Sequence, residues 1–308
     1  MDLKQLQAFV HVAELGSFTR AATILDTTQP ALSRQVRQLE VELHQHLLVR
    51  NGRGVALTEA GQRLLAHAQG ILQQVERATD DLESLRGTPG GQFNIGLTPS
   101  VAKIATVEMI RRFRASFPAA TITVNEALSS YLVEWLMMGR IDAAVMYDTA
   151  DTPMIDKRGL FAEELFLIGS SEAARTAARR APGAVQLKDI GQYPLVIPGR
   201  MHAIRHIVET RAAELGVKLS IALEVDAVSS ILDLVSEGYG YAVLPLNATS
   251  SDPLKRQFTV ERLTHPTLFS QLVVATSALH PVSHLASRAI AMIEHDVLPL
   301  YTEPRRVT

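Results

Sequence analysis

The sequence predicts an α/β chain in two parts: helices and one hairpin first, then a longer region in which strands and helices alternate. Three observations support this. Apolar residues up to about Arg86 recur at helical spacing, and a glycine-rich break follows in RGTPGGQ (86–92). Beyond it, β-rich runs such as FNIGL, DAAVMY and YAVLP alternate with helical ones. With 308 residues, 47% apolar and 20% charged, the chain is long for one domain and rich enough in apolar residues to bury cores.

Leu3, Leu6, Val10 and Ala13 predict a first helix over 3–14. It ends at Leu15-Gly16-Ser17, where glycine closes one helix and serine caps the next. The second helix, Phe18 to Leu25, points Phe18, Ala21, Ala22 and Leu25 inward, and its alanines let another helix cross closely. Asp26-Thr27 makes a turn, Thr27 or Thr28 caps the third helix, and Pro30 sits in its first turn, where a missing N–H costs nothing.

That third helix has two faces. At about 100° per residue, Val36, Leu39 and Leu43 fall within roughly 40° of Leu32, an apolar stripe for a core. Gln29, Pro30, Ser33, Arg34 and Arg37 occupy the other side, with no acid among them. A solvated outer face would look similar, since polar outer faces are the rule. In a helix-turn-helix, however, the second helix enters the major groove. Arg34 then suits a bidentate contact to guanine, Gln29 adenine or a phosphate, and Ser33 and Arg37 base or backbone.

HLLVRNGRGVALT, starting at His46, predicts a strand, a turn at Asn51 to Gly54 and a second strand, a wing whose tip is bracketed by Arg50 and Arg53. A wing arginine suits a narrow minor groove or a phosphate. Thr58 caps a long helix to about Arg86, in which Leu64, Ala68, Ile71, Val75, Ala78, Leu82 and Leu85 form an uninterrupted heptad seam. Such a seam predicts a coiled-coil dimer, with packing inside a larger domain as the alternative.

In the second part FNIGL, TITVNEA, DAAVMY, EELFLIGS, YPLVIP, IALEV, YAVLP and FSQLVVATS read as strands. Helices are expected over Val101–Phe117, Ser130–Gly139, His202–Leu215 and Ser230–Glu237. This alternation predicts parallel sheets covered on both faces, with ligands bound beyond the carboxyl ends of strands. Thr98-Pro99-Ser100, Leu128-Ser129-Ser130, Pro198 to His202 and Val228-Ser229-Ser230 lie at those ends, each at or before a helix start. Hydroxyls and helix N–H groups converging on one cleft suit a carboxylate or other small anion, and Arg200 or His202 would add charge. Each hydroxyl is also a plausible cap for its own helix.

Other classes fit less well. The net charge of −2 argues against a uniformly basic nucleic-acid binder, and residues 1–58 carry six Lys or Arg against five acids. Without cysteine there are no disulfides, thiolate metal sites or cysteine nucleophiles. Neither a dinucleotide-binding glycine loop nor a Walker loop is present, so an enzyme is not expected and no cofactor is implied. His202 and His206 lie four apart but lack a third ligand, so no metal is expected. The amino terminus lacks the pattern of a signal peptide and no apolar run spans a bilayer, which opposes an exported solute receptor and predicts a cytoplasmic protein without membrane contact.

Ser17-Phe18, Ala21-Ala22, TQPALSRQVRQLE, LLVRNGRGVALTEAG and the helix to Arg86 closely resemble the amino-terminal domain of LysR-type transcriptional regulators. GRIDAAVMY, PLVIP and ILDLVSEGYGYAVLP resemble their effector domain, notably in the branch of nitrogen-assimilation control regulators. The resemblance implies a winged helix-turn-helix over 1–58, a dimerisation helix over 59–87, a hinge at 88–91 and an effector domain over 92–308, built like a periplasmic solute-binding protein. Its subdomain I would take about 92–161 and 269–300, and subdomain II about 162–268, with crossings near Phe161 and Phe269. It also implies that Gln29, Pro30, Ser33, Arg34 and Arg53 face double-stranded DNA, with Arg37 near the backbone. Thr98, Ser100, Ser129 or Ser130, and the Pro198 to His202 loop would line a small-molecule effector cleft. Homodimers pairing into homotetramers, and contact with RNA polymerase, complete the expectation.

Overall fold

The computed structural model describes residues 1–51, 54–84, 90–170, 183–250 and 257–299. Helices α1 (Leu3–Leu15), α2 (Phe18–Ile24) and α3 (Gln29–Leu43) come first, then the hairpin β1 (Leu48–Asn51) and β2 (Gly54–Leu57), then α4 (Glu59–Ser84). Each helix start has a local cause. Asp2 and Gln5 form a reciprocal capping box, Ser17 caps α2, and Thr28 caps α3. The Thr58 hydroxyl accepts the Gly61 N–H at 3.0 Å and donates to the His46 carbonyl at 2.7 Å, so the start of α4 is tied to the wing.

Gly16 ends α1 at φ 61, a left-handed conformation that favours glycine, and its carbonyl accepts the Val55 N–H of β2 at 3.0 Å. On α3, Glu40 Oε1 accepts the N–H groups of Leu47 and Leu48 at 2.8 and 3.2 Å. The hairpin is thereby set against both α3 and the first turn. Leu32, Val36 and Leu39 are buried with Leu6, Phe9, Val12 and Ala21, and Leu43 is half-buried at the edge of this core. Arg53, Leu85 and residues 86–89 of the glycine-rich break lie outside the described residues.

The heptad seam on α4 is divided. Ala68 is fully buried and Leu64 half-buried in the core of their own domain, because α1 crosses the first turns of α4. The expectation of a seam open from Leu64 is corrected accordingly. Ile71, Val75, Ala78 and Leu82 remain exposed in the single chain.

The second part begins with β3 (Gly91–Leu97), α5 (Pro99–Ser116), β4 (Ala120–Glu126), α6 (Ser129–Met137), β5 (Ala143–Tyr147) and the long β6 (Ile155–Ser170). Next come β7 (Ala184–Gln186), β8 (Pro194–Ile197), α7 (Ala203–Glu214), β9 (Ser220–Glu224), α8 (Val228–Ser236), β10 (Ala242–Pro245) and the short α9 (Leu246–Ser250). β11 (Phe258–Thr264), β12 (Phe269–Ser277) and α10 (His284–Met292) complete it.

Strands β4, β3 and β5 run parallel, as the alternation predicts. β12, however, runs antiparallel to β5 and to the first half of β6, while the second half of β6 pairs antiparallel with β10 and β11. Parallel sheets were expected from the alternation; the antiparallel pairs are added because β6 carries the chain out of one subdomain and β12 brings it back. Glu164 pairs with Phe269 and Leu165 with Pro245, which puts the outward crossing three residues beyond Phe161. Among the described residues the first subdomain has a core on each face of its sheet, one around Phe93, Phe113 and Leu272 and one around Leu132, Ile141 and Met146, while the second subdomain has its own around Leu167, Leu195 and Ile231. The carboxyl ends of β3, β4 and β5 in one subdomain and of β10 in the other open toward a shared cleft.

Candidate nucleic-acid interface and ligand cleft

The first turns of α3 present Pro30, Arg34 and Arg37 exposed, with Gln29 and Ser33 half-buried between them. The two acids of this helix are engaged elsewhere, Glu40 by the wing and Glu42 by the Met1 ammonium and by Gln5 Nε2. The surface around Arg34 therefore keeps its positive charge, and the amino end of α3 adds the partial charge of its N–H groups. Arg34 and Arg37 are forked donors able to meet base edges or phosphates.

The cleft between the subdomains encloses about 820 Å³. The amino ends of four helices reach it: α5 through Thr98 and Ser100, α6 through Leu128 and Ser129, α7 through His202, and α8 through Ala227 and Val228. Thr98 is 3% exposed and its hydroxyl has no hydrogen-bond partner, although it stands at the start of α5. Ser100 Oγ lies 3.0 Å from the Tyr147 hydroxyl, which donates to Glu163 at 2.9 Å; Asn247 Nδ2 donates to the other Glu163 oxygen at 2.6 Å. This chain of polar contacts joins one wall to the crossing strand β6.

The expected residues do not all meet here. Thr98, Ser100, Ser129 and His202 line the cleft, whereas Ser130 is turned into the protein, with a buried hydroxyl that lacks a partner. Arg200 is exposed and outside the lining, which corrects its placement in the site. The buried cation of that loop is Arg205, 1% exposed, which donates to the Pro198 carbonyl at 3.2 Å and pairs with Glu209 and Glu224. Its charge is consumed in holding the loop.

His202 is not a cation either. Its Nδ1 accepts the Ile204 N–H at 3.2 Å, a role open only to an unprotonated nitrogen, and burial pushes its pKa down against the attraction of Asp226. Lys103, Tyr147, Glu126, Asp226 and Asn247 also line the cleft and were not among the expected residues. The strand-end rule that selected Thr98 applies equally to Tyr147 and to Asn247, at the ends of β5 and β10. Lys103 follows Ser100 by one helical turn.

Between cleft and interface lies α4, docked on the first subdomain. Arg77 Nε is 2.5 Å from Asp142 Oδ1, with side chains 10% and 3% exposed, and Asp142 Oδ2 accepts the Asn94 N–H at 2.6 Å. Gly70 lets the helix approach the end of α6, where a Cβ would overlap the Met138 carbonyl oxygen.

Residues 3–62 match the family described as bacterial regulatory helix-turn-helix protein, lysR family, and residues 86–297 match the LysR substrate binding domain. The nitrogen assimilation regulatory protein nac of Escherichia coli strain K12 is 34% identical over 253 residues, 82% of this chain and 80% of that protein. The HTH-type transcriptional regulator BbuR of Bordetella bronchiseptica is 29% identical over 82% of this chain and 76% of its own length. Among solved structures, full-length CbnR complexed with its target DNA superimposes with a TM-score of 0.68 at 22% identity, covering 97% of this chain and 100% of that one.

Proposed function

The chain belongs to the LysR family of bacterial regulatory proteins, and from that premise we propose how its two ends cooperate. It is a DNA-binding transcriptional regulator with an effector-binding domain, and not an enzyme. In our reading, Arg34, Gln29 and Ser33 contact base edges of double-stranded DNA, Pro30 packs at the groove, and Arg37 and the wing's Arg53 hold the backbone or minor groove. The exposed seam of α4, from Ile71 to Leu82, joins two chains, and dimers pair into tetramers on DNA. A small effector, docking an anionic group at the helix amino ends near Thr98, Ser100 and Ser129, favours one arrangement of the assembly over another. The regulator acts in the cytoplasm, in contact with RNA polymerase.

One observation carries this reading most directly: the cleft of about 820 Å³ and the cationic face of α3 are joined through α4, which is docked on the effector domain. A ligand that changes the subdomains therefore has a rigid path to the DNA-binding end. The test is a footprint on the DNA upstream of the chain's own gene, with wild type and Arg34→Ala. Loss of one bidentate contact is expected to weaken specific binding by about 1–3 kcal/mol, roughly 5- to 150-fold. Equal protection by both proteins would refute the assignment of α3.

A further inference from the structure

The charge of the cleft says more about its ligand than the helix amino ends do. Its carboxylates and cations are Glu126, Asp226 and Asp233 against Lys103, since Arg200 is exposed outside the lining and His202 caps α7 as a neutral ring. The carboxylates come from both walls: Glu126 ends β4 in the first subdomain, while Asp226 and Asp233 belong to the second. A purely anionic ligand would enter among like charges. A second observation points to a ligand independently of the acids: the Thr98 hydroxyl, in a side chain almost wholly buried at the cleft, has no hydrogen-bond partner. A buried hydroxyl left unpaired is unfavourable, and a polar ligand group at the start of α5 would satisfy it.

We propose that the effector is an amino acid-like zwitterion: its carboxylate meets the amino ends of α5 and α6, and its ammonium lies between Glu126 on one wall and Asp226 on the other. Ile104, Leu128, Val228, Leu232 and Leu244 offer an apolar surface for the rest of the molecule. Asp226 Oδ1 already accepts the Gly199 N–H at 2.9 Å, which fixes the carboxylate and leaves its second oxygen for the ammonium. The ammonium neutralises both walls as they approach, so an anion lacking it would be the poorer ligand for cleft closure. This inference rests on the effector reading above and narrows its ligand class.

The test uses the full-length chain and matched triplets: each common α-amino acid, the same compound without its amino group, and the corresponding decarboxylated amine. Thermal shift and calorimetry read binding. The expected result is that at least one amino acid binds at least tenfold more tightly than its des-amino acid and its amine. Glu126→Gln or Asp226→Asn, with unliganded melting temperatures near wild type, should reduce that preference at least tenfold. A des-amino acid binding as tightly as its amino acid would overturn the zwitterion and leave the anionic-effector reading standing. Binding of amines alone would overturn both, whereas failure of every triplet to bind would overturn the amino acid proposal and leave the anionic-effector reading standing. A preference unchanged in both variants would remove Glu126 and Asp226 from the site and overturn the proposal.

Discussion

Replacing Asp142 with alanine is expected to damage the joint between α4 and the effector domain more than any surface change. The Arg77–Asp142 pair is a contact of charges 2.5 Å apart at their nearest atoms, with both side chains at least nine-tenths covered. Burial pushes the Arg77 pKa down and the Asp142 pKa up, in each case against their mutual attraction, so desolvation takes up much of what the pair contributes. At charge centres about 4 Å apart and an effective dielectric near 20, the attraction is roughly 4 kcal/mol. Asp142→Ala removes it, orphans the Asn94 N–H and leaves a guanidinium without its counter-charge. The loss should be about 3–5 kcal/mol, the range for breaking a buried pair from one side. It can be relieved by α4 lifting away so that water reaches Arg77, and two assays separate the outcomes: urea unfolding for global stability, and small-angle scattering for undocking. Arg77→Met with Asp142→Leu should recover most of the loss, because an apolar pair of similar volume removes both desolvation penalties. A loss below about 1 kcal/mol for Asp142→Ala, with unchanged scattering, would refute the account of this joint.

Two further outcomes are expected. His202 has a lowered pKa and accepts a hydrogen bond as a neutral ring, so its stabilising contribution is full above its ordinary value of 6.5 and is lost as pH falls through the lowered folded value. Each unit of lowering corresponds to about 1.4 kcal/mol. His202→Asn keeps a capping side chain without the titration, so urea midpoints measured from pH 7.5 to 5 should fall less steeply than in wild type, and parallel curves would count against the cap. On α4, Val75 is 41% and Leu82 68% exposed in the single chain, and Val75→Asp should weaken self-association in sedimentation equilibrium. Replacing two apolar side chains per dimer by carboxylates corresponds to roughly 3 kcal/mol or more, at least about 100-fold in the dimer constant. An unchanged constant would assign the dimer contact to another surface.

What the sequence determined by itself is local. Ser17, Thr28 and Thr58 cap the helices that follow them, Leu32, Val36 and Leu39 turn inward together, and Thr98, Ser100 and Ser129 stand at strand ends that open on the cleft. Such features depend on residues within a few positions of one another, through hydrogen bonds to nearby N–H groups and the fixed periods of helix and strand. The tertiary structure decided whatever joins distant segments. It buries Ala68 and half-buries Leu64 in the core that α1 forms with α4, runs β12 antiparallel to β6, sends Arg200 outward while Arg205 holds the loop, and brings Arg77 to Asp142. It also assembles the acidic walls of the cleft from Glu126 and Asp226, a hundred residues apart in the chain. None of these leaves a local pattern, because each follows from how whole elements pack; the charge of a cleft is a property of the surfaces that meet there.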